Sequence, residues 1–371
     1  MPEIKSVEVR RWNVPMRSPY RSAQRITRVA ANVLVRVTLT DGAVGYGESA
    51  PAAYVTGETQ ETVRAAVLTM ARELIGKPPE AALAAVLQSP TRTPGARGAL
   101  ETAIRDARSR SEGRPFYREF PATAETPVLS IRTDLSLPLL PPDEAAERAT
   151  RFAAVGFRSF KIKVDGKTRE DEARVRAVAE SAPGTFLRID GNQAFSATEA
   201  IHLVRRLDDL LPRLQMFEQP TPAGDDQAMF QVQDAIPIPV FADESVRHPT
   251  DAARLLNQGA CRGVVLKIAK SGIAETLAIG RAVRDAGGVC LFGCMMETRV
   301  AISAAVHLAV ALGPEIVPFL DLDGPFLVDD SRLVRGGIRI DGDILRVSET
   351  DPGLGVAPDF AATDSESMDR V

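Results

Sequence analysis

Lys163, Asp190, Glu218, Asp243, Lys267 and Asp321 follow one another through the second half of this 371-residue chain at intervals of 27, 28, 25, 24 and 54 residues. The first five sit at the ends of apolar runs, FKIKV, FLRID, LQMFE, PVFAD and GVVLK. Asp321 comes two intervals of 27 after Lys267, with the run VCLFGC at 289–294 between them. Carboxylates hold hard cations, and lysines move protons or grip anions, so the set is one that metal-assisted proton chemistry would use.

A repeat of this length is one βα unit, and a series of such units makes a parallel barrel whose chemistry lies at the C-terminal ends of its strands. The intervening segments support that geometry. EDEARVRAVAES, ATEAIHLVRRLDDLL, DAARLLNQG, IAETLAIGRAVRDAG and RVAISAAVHLAVALG carry apolar residues at helical spacing, and Gly259, Gly287 and Gly313 stand where helices end. The barrel is expected over residues 126–325.

The first 125 residues have another pattern. IKSVEVRRWNV, ANVLVRVTLTDG and AVGYGESAP read as an antiparallel meander with its turn at Asp41-Gly42, and three helical segments follow. This predicts an α+β domain before the barrel, with irregular loops near 18–29 and 50–57 that suit lids. The strand signal GGIRIDGDILRVS, within 326–356, is expected to return and pair with that domain. Residues 357–371 lack periodicity and are expected to be disordered.

Composition excludes several classes of partner. With 45 basic and 49 acidic side chains the net charge is −4, which gives no broad electrostatic attraction for nucleic acid or an anionic membrane. No stretch approaches a spanning helix, and MPEIKSVEVRRW places charge where a signal peptide needs apolar residues, so a cytoplasmic location is expected. Cys261, Cys290 and Cys294 fit neither a disulfide framework nor a zinc spacing, and the three histidines, His202, His248 and His307, leave any metal to oxygen ligands.

Asp190, Glu218 and Asp243 end three consecutive strands, so their side chains can converge on one point. A single acid there could be a helix N-cap, as Asp190 before GNQAF could be. Three on adjacent strands repel one another unless a cation lies between them, and hard oxygen ligands suit Mg²⁺ or Mn²⁺. Asn192 and Glu244 are expected to contact those ligands from outside. Lys161 and Lys163 share one face of their strand, with Lys267 across the mouth. Lysine titrates near ~10.4, and burial beside Lys161 and a divalent cation can bring Lys163 toward ~7 to 8, so that a neutral and a protonated lysine form a two-base shuttle.

The ordered motifs FKIKV, RIDGNQAF, FEQP, ADES, LKIAKSGI and FGCMMET resemble those of the enolase superfamily, in its muconate lactonizing enzyme subgroup. The resemblance implies an α/β fold, a modified (β/α)₇β barrel of TIM type with an N-terminal α+β capping domain. It also implies that Asp190, Glu218 and Asp243 bind Mg²⁺, that Lys163 and Lys267 are the acid/base pair, and that Lys161 supports the first. FLDLDGPF carries a further likeness: Asp321 and Asp323 resemble the pair with which dipeptide epimerases hold a substrate ammonium group. Arg25 resembles the lid arginine of L-Ala-D/L-Glu epimerases, and Tyr54, Thr56, Glu297 and Thr298 are further expected substrate or supporting contacts. The implied partners are a dipeptide and other copies of the chain. An N-acyl amino acid racemase, an o-succinylbenzoate synthase and a muconate-type cycloisomerase stay open, and the Asp321/Asp323 pair separates them from a dipeptide epimerase.

Overall fold

The computed structural model describes residues 1–121, 127–362 and 369–371. The boundary expected at 125/126 lies outside the described residues. The capping domain is built on strands β1 (Ile4–Arg21), β2 (Ile26–Leu39) and β3 (Val44–Ser49), followed by helices α1 (Ala53–Thr56), α2 (Gln60–Ala71), α3 (Pro79–Gln88) and α4 (Pro94–Ser111). Alternating apolar residues of β1 and β2, among them Val7, Val9, Val33, Val35 and Val37, bury one sheet face against α2 to α4. Gly47 makes the closest approach possible, since a Cβ there would collide with the Ala99 carbonyl of α4.

The expected loop at 18–29 is largely strand. β1 and β2 run on to Tyr20↔Thr27 and Arg21↔Ile26, with an irregularity after Pro15, and only the tip turns back, where Ser22 N–H donates to the Arg25 carbonyl at 2.9 Å. Its arginines gave it the look of a solvated loop, whereas cross-strand pairing extends it over the barrel. Residues 50–57 likewise contain a short helix, α1, rather than a wholly irregular loop.

After a short strand β4 (Ser130–Arg132), eight parallel strands form the barrel: β5 (Leu135–Leu137), β6 (Ser159–Lys163), β7 (Phe186–Asp190), β8 (Leu214–Glu218), β9 (Val240–Ala242), β10 (Gly263–Leu266), β11 (Val289–Gly293) and β12 (Phe319–Asp321). They neighbour one another in sequence order, and a bridge between Thr133 and Leu320 brings the first and last edges together. The outer helices are α5 (Pro142–Ala154), α6 (Thr168–Ser181), α7 (Ala197–Arg206), α8 (Asp226–Ala235), α9 (Pro249–Asn257), a single turn α10 (Ile268–Ser271), α11 (Ile273–Asp285) and α12 (Arg299–Leu312). A last turn, α13 (Gly324–Leu327), follows β12. Met216, Phe241, Val265 and Leu291 fill the barrel interior below the site. Helix α12 is buried from Val300 to Leu312, and its apolar residues on every face suit a helix sandwiched between layers.

Buried acids of the capping domain cap barrel helices and so fix the two units together. Glu48 accepts hydrogen bonds from the Thr298 N–H (3.1 Å), the Thr298 hydroxyl (2.6 Å) and the Ala301 N–H (3.1 Å) at the start of α12. Glu101 accepts from the Ile273 and Ala274 N–H groups at the start of α11, at 2.7 and 3.2 Å. Each carboxylate meets the orphan donors and positive end of a helix.

The C-terminal segment corrects two expectations. The hairpin of β14 (Arg339–Asp341) and β15 (Ile344–Arg346), which follows β13 (Val334–Gly336), pairs with β4 at the entry to the barrel and not with the capping sheet. Other parts of 326–356 do return to the capping domain, the Asp329 N–H donating to the Pro15 carbonyl at 2.8 Å and the Leu354 N–H to Asp106 at 2.7 Å. A hairpin's own sequence encodes its turn but not which edge it meets. Beyond it, β16 (Val356–Pro358) pairs with β13, Phe360 is buried with the Arg10 and Arg36 guanidiniums over its ring, and β17 (Asp369–Arg370) adds to β1. The tail expected to be disordered is therefore ordered where described, and 363–368 lie outside the described residues. Among the described residues no helix is long and apolar enough to cross a membrane.

Candidate active site

Parallel register sets three of the candidate residues at one height: Lys163 pairs with Asp190 across β6 and β7, and Asp190 with Glu218 across β7 and β8. Alternation along β6 turns Lys161 and Lys163 toward the barrel axis, while Phe160 and Ile162 join the core beneath the helices. On the other side Lys267 follows β10, and Gly293 of the next strand leaves it room. A Cβ on Gly293 would stand 3.0 Å from Lys267 Cε and 3.1 Å from Val265 Cγ1.

Every lysine here faces acid. Lys163 Nζ lies 2.5 Å from Asp190 Oδ2, and Lys267 Nζ 2.7 Å from Asp243 Oδ2. Lys161, at 2% exposure, sits among Glu218 at 3.2 Å, Asp190 at 3.3 Å and Asp321 in direct contact. Burial is the largest single influence on the Lys163 ammonium and would lower it, but Asp190 together with the other acidic groups around it, Glu218 among them, holds the group above its ordinary value. The lowering expected from the sequence thus requires that the carboxylates share their charge with a cation. Burial would raise Asp243, yet Lys267 and Lys270 keep it well below the carboxylate range. Glu218 has less compensation: burial and then Asp190 push it up to about 8.

That crowding is the test of whether the donor set fits a cation. Six buried acids, Asp190, Glu218, Asp243, Glu244, Asp321 and Asp323, surround four buried lysines, Lys161, Lys163, Lys267 and Lys270. The excess of hard oxygen donors matches a divalent ion. The tightest acidic grouping among the described residues is a different one, Asp134, Asp321 and Asp323, whose oxygens lie within 4.8 Å of one another. Asp134 is engaged with Arg188 at 2.7 Å and Asp321 with Lys161, just as Asp190, Glu218 and Asp243 are engaged with lysines, so ion pairing alone does not choose between the two groups.

Asp321 and Asp323 converge across the closing seam of the barrel. The Ser136 hydroxyl donates to Asp321 at 3.1 Å and the Ser136 N–H to Asp323 at 2.7 Å. Burial and then Asp321 raise Asp323 to about 6. Asn192, at φ 41°, donates its N–H to Asp190 at 3.0 Å and its side-chain amide to Glu244 at 3.4 Å. Burial and then Asp243 raise Glu244 to about 7. Left-handed backbone at a residue other than glycine concentrates at functional sites; Gln193 at φ 70° is a second case and Gln219 at φ 34° a third. The Gln219 side-chain carbonyl accepts from the Asp243 N–H at 2.9 Å.

The hairpin tip roofs the cavity. Gln24 donates to the Asn192 carbonyl at 3.2 Å, and the Arg25 guanidinium stacks over the Tyr54 ring at 4.6 Å, so both lid segments meet above Lys163 and Lys267. Tyr20, buried on the same hairpin, also lines the cavity, as does Cys294, whose Sγ is 3.8 Å from Asp323. Glu297 and Thr298 do not line it. Thr298 caps α12 and donates to Glu48, while Glu297 is buried and raised to about 8 by burial and then Glu48. Thr56 lies on the far side of α1, in a separate pocket with Arg92 and Arg247.

Sequence reading missed Tyr20, Ser136, Gln219 and Lys270. A lysine one helical turn after Lys267 was the available signal for the last. The three-residue strand β5 was too short to reveal Ser136 by pattern.

Comparison with known proteins agrees with this architecture. Residues 4–118 match the family described as mandelate racemase / muconate lactonizing enzyme, N-terminal domain, and residues 144–362 the one described as enolase C-terminal domain-like. The hydrophobic dipeptide epimerase of Citrifermentans bemidjiense is 34% identical over 94% of this chain and 95% of its own. The L-Ala-D/L-Glu epimerase of Clostridium acetobutylicum is 30% identical over 95% of this chain and 98% of its own. The crystal structure of a dipeptide epimerase from Enterococcus faecalis V583, complexed with Mg and L-Leu-L-Tyr, superposes with a TM-score of 0.88 at 29% identity, covering 96% of this chain and 99% of that one. The chain belongs to the mandelate racemase / muconate lactonizing enzyme family of the enolase superfamily.

Proposed function

We propose that this protein is a dipeptide epimerase that inverts the α-carbon of the C-terminal residue of L-Ala-D/L-Glu. The observation that carries the reading is the placement of Lys163 and Lys267 on opposite sides of one cavity whose wall also holds Asp321 and Asp323. Asp190, Glu218 and Asp243 would hold Mg²⁺, which supplies positive charge for a substrate carboxylate that gains a second negative charge on deprotonation. Lys163 and Lys267 take the α-proton from one face and return one from the other. Asp321 and Asp323 bind the free ammonium, a group that N-acyl amino acids and muconates lack, and so fix the α-carbon between the lysines. Arg25 provides a guanidinium at the mouth for the distal carboxylate of glutamate, with its plane held by Tyr54.

The direct test is exchange of the α-proton for deuterium in D₂O with Mg²⁺, followed by NMR across a panel of dipeptides and N-succinyl amino acids. Exchange of acidic dipeptides above the others is the expected result. Preferential exchange of the N-succinyl compounds would overturn the assignment.

A further inference from the structure

Lys270 is a buried ammonium for which the proposed proton transfer has no use. It stands on α10, three residues after Lys267, so one helical turn carries it back over the strand end to the side of Asp243 away from the substrate cavity. At 3% exposure its Nζ lies 2.7 Å from Asp243 Oδ1, 2.7 Å from the Asp243 carbonyl and 2.9 Å from the Val265 carbonyl. Three acceptors match the three N–H bonds of an ammonium, so the group is fixed. The other oxygen, Oδ2, faces Lys267. One carboxylate is thus divided between a lysine that lines the cavity and a lysine that does not.

We infer that Lys270 is a positioning residue for the metal site: it holds Oδ1 of Asp243 and thereby keeps Oδ2 presented to the cavity. The inference rests on the reading of Asp243 as a metal ligand. Without Lys270 the carboxylate keeps Lys267 on Oδ2 but loses its hold on Oδ1, so it can turn about its side-chain bonds. A lysine that only ties β9 to β10 through the two carbonyls would affect stability and leave metal affinity alone. Partners that orient a ligand in this way are commonly worth about 10- to 100-fold in metal affinity.

The experiment is calorimetric titration of Mg²⁺ into the chelator-stripped full chain, for wild type, Lys270→Met, Lys270→Gln, Lys267→Met and Asp243→Asn, with circular dichroism to establish folding. Lys270→Met should weaken Mg²⁺ binding by about tenfold or more, and Lys267→Met, which removes a competitor for Oδ2, should leave it unchanged or tighter. If Lys270→Met does not fold, Lys270→Gln, which keeps one donor, carries the same expectation. A folded Lys270 variant that binds Mg²⁺ within about twofold of wild type, well short of the effect expected of an orienting partner, overturns the inference when Asp243→Asn loses binding. Wild-type affinity in Asp243→Asn would instead overturn the ligand reading beneath it.

Discussion

Lys163 and Asp190 are register partners on adjacent strands, and their side chains meet at 2.5 Å. The proposed base and a proposed metal ligand are therefore one electrostatic unit. Whatever neutralises Asp190 releases Lys163 toward the lower pKa that proton abstraction needs.

This unit makes activity depend on the cation. Stripping the protein with a chelator should abolish turnover and readdition of Mg²⁺ should restore it. Asp190→Asn should not be rescued, while its circular dichroism stays that of a folded barrel. Full turnover by a metal-free preparation, checked by elemental analysis, would contradict the assignment.

Gly293 gives a purely steric test. A methyl group there would stand 3.0 Å from Lys267 Cε, 3.1 Å from Val265 Cγ1 and 3.5 Å from Leu291 Cδ2, so the lysine and Val265 must both give way. Gly293→Ala should lower kcat by about 10- to 100-fold, the scale of a small misplacement of a reacting group. Its melting temperature should move only slightly. Near-normal kcat would show that Lys267 does not need its observed path.

Recognition can be divided between the two ends of the substrate. Asp321→Asn should raise KM and lower kcat together, because a loosened ammonium also shifts the α-carbon. Arg25→Ala should cost L-Ala-L-Glu about 5- to 100-fold in kcat/KM, a usual range for losing the partner of a charge, and L-Ala-L-Leu much less. An unchanged ratio between the two dipeptides would remove Arg25 from the glutamate side of the site.

His307 predicts how the two domains respond to acid. It lies in α12, its Nδ1 accepts the Tyr117 N–H of the capping domain at 3.2 Å, and burial lowers its pKa from 6.5 to about 3. Between those values the unfolded chain binds a proton that the folded chain does not, so stability is full above the unfolded pKa and falls as pH falls. From pH 7 to pH 5 the loss due to this group is about 2 kcal/mol. Urea unfolding at both pH values should show that much more loss in wild type than in His307→Gln. Equal losses would mean that His307 is not the group responsible.

What the sequence made legible was whatever repeats or alternates. One chemical residue per βα unit revealed the barrel, its C-terminal face and the lysines and carboxylates on it. Residues whose role comes from tertiary contact left no such trace. Ser136 reaches Asp321 and Asp323 only because the first and last strands meet, and Glu48 finds Thr298 only once the domains dock. The arginine content of the first hairpin concealed strands that continue to Arg21 and resume at Ile26. Thr298 was legible as a residue near the mouth, but the choice between substrate and helix cap is made by a carboxylate 250 positions away.

The central claim is that Lys163 and Lys267 each serve one face of the same carbon. The most direct measurement is deuterium incorporation at the α-carbon of each separate epimer, L-Ala-L-Glu and L-Ala-D-Glu, in D₂O with Mg²⁺ and with Lys163→Ala or Lys267→Ala. Both variants should fail to epimerise, and each should retain exchange with only one epimer, the opposite one in the two cases. Epimerisation at near wild-type rate by either variant, or loss of exchange with both epimers in one variant and neither in the other, would contradict the two-lysine account.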